Sequence, residues 1–81
     1  MLEKAINYFN LEVNSTTRYF VNHGNEITDN EFNRIVNYAI QRCLGVAYFA
    51  QDLGIPYDDI RGEYNATKER LLALLDGKCG G

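Results

Sequence analysis

The sequence predicts an all-α fold: a single domain of three antiparallel helices packed in up-down-up order. Three observations indicate this fold. Apolar residues recur at alternating steps of four and three over three long segments. Short connections containing glycine separate those segments and favour antiparallel neighbours. Only one proline interrupts the 81 residues. We expect a bundle domain over residues 1–77, with helices at about 2–23, 29–53 and 57–75, and a flexible tail at 78–81.

The first helix has one apolar stripe, which begins at Leu2 and reaches Phe20. The stretch 14–17 is its weak part, because short polar and β-branched side chains have modest helix propensity. A kink or a break is therefore an alternative to a continuous helix there. Gly24 is expected to end the helix in the left-handed conformation that glycine adopts readily.

The second helix has the clearest start signal in the chain. Thr28 and Glu31 have the spacing of a capping box, and Ile27 and Phe32 occupy the positions of a hydrophobic staple. The apolar face that follows covers roughly 220° of the helix circumference, so this helix must contact two neighbours. That face comprises Phe32, Val36, Ala39, Cys43, Val46, Ala50 and Leu53, flanked by Ile35, Ile40, Leu44, Ala47 and Phe49.

The second connection is also encoded locally. Gly54 suits the residue after the helix end, Ile55 can fold back as its hydrophobic contact, and Pro56 prevents the helix from continuing. The third helix is expected to start at Tyr57 and to stop at residues 76–77, an Asp-Gly pair.

Charge and composition exclude several function classes. A net charge of −3 argues against general nucleic-acid binding, which needs a basic face, and against an anionic membrane surface. No apolar run approaches the ~20 residues of a membrane helix. No signal peptide is recognised, so a cytoplasmic location is expected, and a bacterial or phage origin fits this style of small protein. Cys43 in a helical run and Cys79 near the end do not indicate a disulfide framework.

No constellation of catalytic or metal-binding residues is recognised. His23 is the sole histidine and Ser15 the sole serine, and both fall in one predicted helix without the strained turn that a serine nucleophile requires. One histidine and two distant cysteines do not have the spacing of a zinc site. We therefore expect no catalytic residue, no metal and no cofactor.

One local motif suggests an alternative function. The pattern resembles the helix-turn-helix of bacterial repressors in Phe49-Ala50, Leu53-Gly54-Ile55 and Ile60. The resemblance implies DNA binding, with Tyr57, Arg61 and Asn65 as contact residues in the major groove. The chain departs from a favourable DNA reader at Asp58 and Asp59, which would repel phosphate.

Tyrosines provide the main candidates for function. Six occur in the chain, and several fall at the margins of the apolar stripes, where tyrosine either covers the rim of a core or contacts a partner. The sequence therefore favours a non-enzymatic protein-interaction module that binds a protein partner or itself, as a homodimer. The candidate contact residues are Tyr8, Leu11, Tyr19, Tyr38 and Tyr48.

Overall fold

The chain forms three long helices in a computed structural model, which describes residues 2–80 and the side chains of residues 2–76. They are α1 (Leu2–His23), α2 (Asp29–Asp52) and α3 (Tyr57–Gly80). A helix of 24 residues is about 36 Å long, so it fits a molecule of 42 × 17 × 15 Å only along the longest dimension. The two connections therefore reverse the chain, and the predicted three-helix bundle is confirmed.

The polar stretch at 14–17 does not interrupt α1. The hydroxyl of Thr17 donates a hydrogen bond to the carbonyl of Val13 at 2.7 Å, and the side chain of Thr16 is buried. Thr17 is thus accommodated within a regular helix, because its hydroxyl bonds to the carbonyl one turn earlier. Of the two alternatives, the continuous helix is the one observed.

The turn after α1 requires glycine for a reason that the sequence did not indicate. The N–H of Gly24 donates to the carbonyl of Phe20 at 2.8 Å, and a Cβ atom at position 24 would lie 2.5 Å from that oxygen. The backbone of Gly24 is not left-handed, since Gly54 is the one glycine with positive φ in the described chain. The expected left-handed cap was therefore wrong, and a close backbone approach replaces it.

The predicted start of α2 is confirmed. Thr28 has extended backbone angles, and its hydroxyl oxygen accepts a hydrogen bond from the N–H of Glu31 at 3.1 Å. Ile27 packs against the core. Phe32 is fully buried, and its ring centroid lies 5.0 Å from that of Phe20. The start of α2 is thereby joined to the end of α1.

The end of α2 is a Schellman motif, as the sequence predicted. Gly54 has φ +103°, a conformation that strains any residue with a Cβ. Its N–H donates to the carbonyl of Gln51 at 3.0 Å, and the N–H of Ile55 donates to that of Ala50 at 3.1 Å. Ile55 is buried, which supplies the hydrophobic contact of the motif.

Helix α3 starts at Tyr57 as expected, but it continues to Gly80, beyond the predicted end at residue 75. Pro56 lies two residues after Gly54, whereas Cys79 lies two residues after Gly77. Glycine alone weakens a helix by only about 1 kcal/mol, so it need not end one. Residue 81 of the expected tail lies outside the described residues, and the flexibility of the tail stays a prediction.

The core is formed by all three helices. Its largest fully buried side chains are Phe9, Phe32, Val36, Cys43, Ile60 and Leu71. Two polar contacts join α1 to the other helices: Arg42 Nε donates to Glu12 Oε2 at 2.8 Å, and Arg70 Nη1 donates to Asn10 Oδ1 at 3.0 Å. Within the described chain, none of the helices combines the length and apolar character needed to span a bilayer.

Candidate interaction surface

The five candidate contact residues do not form one surface. Leu11, Tyr38 and Tyr48 each keep more than half of their surface exposed, and Tyr19 keeps 40 %. Tyr8 is half-buried and packs against the core. Burial raises the pKa of Tyr8, and the nearby Glu12 carboxylate raises it further. Tyr8 therefore belongs to the contact between α1 and α2 and is not a free surface residue.

The exposed candidates are divided between two helices. Leu11 and Tyr19 lie on α1, where the ring of Tyr19 packs against that of His23 with centroids 4.8 Å apart. Tyr38 and Tyr48 lie on α2. Leu11 projects opposite the buried stripe of its own helix, so it faces away from α2.

Helix α2 exposes more apolar surface than the sequence predicted. The sequence places Phe49 and Leu53 on the apolar face that contacts the neighbouring helices, but they are 65 % and 50 % exposed. That face is too wide for two neighbouring helices to cover along its whole length. Phe49 instead forms part of an open groove of about 220 Å³ between α1 and α2, which is also lined by Lys4, Ala5, Tyr8, Val46 and Ala50.

A second regular stripe runs along α2, on the side opposite the core. Its six residues are all exposed, and their spacing alternates between four and three, so they lie along one side of the helix. We name it the α2 outer seam, and it consists of Arg34, Tyr38, Gln41, Gly45, Tyr48 and Asp52. Of these six residues, only Tyr38 and Tyr48 are among the contact residues that the sequence predicts. The spacing of the other four was a usable signal, but their polar or small side chains are also typical of a solvated face.

The three residues that the helix-turn-helix resemblance predicts to contact DNA lie together in a groove of the bundle. Tyr57, Arg61 and Asn65 line a groove between α2 and α3, together with Tyr48 and Tyr64. Arg61 Nη1 donates to the hydroxyl of Tyr57 at 2.7 Å, and the guanidinium carbon lies 5.3 Å from the ring centroid. The guanidinium of Arg61 is therefore already in contact with the Tyr57 side chain of the same helix.

The arrangement of α2 and α3 also differs from a DNA-binding helix pair. A helix-turn-helix holds its two helices at about 90–120° so that the second one can enter the major groove. Both α2 and α3 run along the long dimension of the bundle. The exposed carboxylates of Asp58 and Asp59 lie in the first turn of α3, the end that would approach phosphate.

Among the described side chains, one group of titratable residues comes together, where α1 meets α2: Tyr8, Glu12, Arg42 and Cys43. Cys43 is fully buried, and burial raises the pKa of its thiol to about 11, which keeps it protonated near neutral pH. His23 lies at the end of α1, with Nδ1 3.3 Å from Glu26 Oε2. No group of three or more histidine, cysteine, aspartate or glutamate side chains within the described chain is placed to hold a metal ion.

Comparisons of the chain with protein-family models, curated protein sequences and solved structures found no match. The exposed surfaces of the described residues are therefore the features that can indicate a function. Among the described residues, the two exposed tyrosines that share one regular stripe are those of the α2 outer seam.

Proposed function

We propose that this chain is a non-enzymatic protein-interaction module that associates with a second copy of itself through the α2 outer seam. The observation that carries the proposal is the second four-and-three stripe on α2, in which Tyr38 and Tyr48 are both more than half exposed. Residues at this spacing lie along one side of the helix, so both tyrosines can contact the same second helix.

The chemistry of the seam supports a protein partner. Tyrosine contributes a large contact area at low entropic cost and is enriched among the residues that dominate binding energy. Phe49 adjoins the seam and adds exposed aromatic surface.

The remaining parts of the proposal follow from charge and chemistry. The net charge of −3 disfavours nucleic acid as the partner, because phosphate binding needs a basic surface. A cytoplasmic setting suits the free thiol of Cys43. DNA binding through Arg61 stays a prediction from the sequence resemblance alone, because no contact among the described residues favours it.

Sedimentation equilibrium over a wide concentration range tests self-association. We expect the wild-type chain to form dimers and Tyr48→Glu to be monomeric, because a carboxylate in the seam would be desolvated on pairing. Leu11→Glu is the matched control, since Leu11 is 60 % exposed and Tyr48 59 % exposed, but Leu11 lies on α1. A wild-type chain that stays monomeric at the highest concentration, or a Leu11→Glu variant that loses the dimer equally, would refute the proposal.

A further inference from the structure

The two ends of the α2 outer seam carry opposite charges. Arg34 occupies one end and Asp52 the other. They are 18 residues apart, which is five turns and about 27 Å, so both project from the same side of α2. Both side chains are exposed. Neither forms an ion pair with any other residue that the structure describes.

This charge pattern is self-complementary in one orientation only. If two copies of α2 pack in parallel, each Arg34 meets another Arg34, and each Asp52 meets another Asp52. If they pack antiparallel about a twofold axis, Arg34 of each copy meets Asp52 of the other. Complementary charges fix the orientation and register of paired helices, because the wrong juxtapositions are repulsive.

The register set by the charges also matches the rest of the seam. Aligning Arg34 with Asp52 of the second copy aligns Tyr38 with Tyr48, and Gln41 with Gly45, on both sides of the axis. The two aromatic pairs lie between the charged ends and the centre, where ring packing adds to the burial of apolar area. At the centre, the longer Gln41 side chain meets the residue that has none.

Gly45 supplies space at that centre. It lies in the interior of α2, it is exposed, and a Cβ atom added to it would meet nothing within 4 Å. The packing of the monomer therefore does not require glycine there. A glycine in a contact seam does allow the backbone of a neighbouring helix to approach closely.

We infer that two copies of this chain pair through α2 as an antiparallel, twofold-symmetric helix pair, in which Arg34 of each copy forms an ion pair with Asp52 of the other. The twofold axis crosses the seam between Gln41 and Gly45, at the level of residue 43 along the helix. This inference rests on the proposed function, which it deepens by naming the partner, the orientation and the register.

Charge reversal tests the register. Arg34→Asp gives a seam with acidic residues at both ends, and Asp52→Arg gives one with basic residues at both ends. Because each dimer contains two such pairs, we expect each single variant to raise the dimer dissociation constant about tenfold at low salt. Arg18→Asp is the charge-matched control, since Arg18 is exposed on α1, and we expect it to dimerise like the wild type.

Two restoring experiments complete the test. The double variant Arg34→Asp/Asp52→Arg should dimerise as tightly as the wild type, because both pairs are restored with their signs exchanged. An equimolar mixture of the two single variants should form mainly the heterodimer, which native mass spectrometry resolves from the two homodimers by mass.

Each failure has a distinct meaning. If the wild type dimerises and the single variants dimerise equally well, this register is overturned while self-association stands. If the mixture shows only the statistical proportion of heterodimer, the antiparallel pairing is likewise refuted. If the wild type does not dimerise at all, the proposed function fails, and this inference fails with it.

Discussion

The thiol of Cys43 makes the stability of the fold sensitive to alkaline pH. The side chain is only 1 % exposed. Burial raises its pKa from the ordinary value of 9.0 to about 11, and the Glu12 carboxylate adds to that rise. The native state therefore holds the proton more tightly than the unfolded state does. The resulting stabilisation is fully present below pH 9, and it is lost as the pH rises from 9 to about 11.

The magnitude follows from the size of the pKa shift. The shift from 9.0 to about 11 corresponds to about 2.7 kcal/mol of unfolding free energy at 1.36 kcal/mol per unit. That loss is large against the ~5–15 kcal/mol stability of a typical domain. Tyr8 and Tyr64 act in the same direction, because burial raises the pKa of both, but their effect begins near pH 10.

Chemical denaturation at a series of pH values measures this effect. We expect the unfolding free energy of the wild-type chain to fall between pH 9 and 10, and that of Cys43→Ala to change little until the tyrosines titrate. A Cys79→Ser background removes the second thiol from both proteins. Equal pH dependence with and without Cys43 would show that its thiol is not protected, and so would rapid native-state labelling of Cys43 by a thiol reagent.

Three further predictions test the helix ends and the alternative function. Thr28→Ala should lower the unfolding free energy by about 1 kcal/mol, because the N–H of Glu31 loses its acceptor; unchanged denaturation would contradict the cap. Gly54→Ala should lower it by about 1–2 kcal/mol, since φ is +103°; a smaller loss in denaturation would show that the turn relaxes. Duplex DNA should cause no mobility shift at physiological salt, and a shift abolished by Arg61→Ala would establish the DNA-binding alternative.

The sequence predicted those parts of the fold that depend on local chemistry. The cap at Thr28 and the turn at Gly54 and Ile55 use residue types whose backbone preferences act within one turn. The four-and-three spacing of apolar residues then required three long helices. Gly24 ends α1 without the expected left-handed backbone. Glycine is required there because a Cβ atom would lie too close to the Phe20 carbonyl oxygen, and residue types alone do not give that distance.

The surface was less predictable than the core. Phe49 and Leu53 have the sequence environment of buried residues, and their exposure depends on how far α1 and α3 extend across the wide face of α2. The α2 outer seam has a regular spacing in the sequence, but Arg34, Gln41 and Asp52 are ordinary residues for a solvated helix. Recognising the seam required the observed exposure of the two tyrosines and the open space at Gly45.

Two exposed glycines, Gly45 and Gly62, differ in the side chains that surround them, and this difference decides where a second helix would gain from close approach. Gly45 and Gly62 are both in helix interiors, and a Cβ atom at either would meet nothing within 4 Å. Each weakens its helix by about 1 kcal/mol relative to alanine. One turn from Gly62 the helix presents Asp58, Asp59, Asn65 and Ala66, whereas one turn from Gly45 it presents Gln41, Arg42, Tyr48 and Phe49. Of these two sites, only Gly45 has aromatic side chains beside it that the close approach of a second helix would bury. Pairing there would offset the helix stability that glycine loses in the monomer. The folded state and the dimer would then stabilise each other by mass action, which matters most for a small domain, since a single small core leaves little stability to spare.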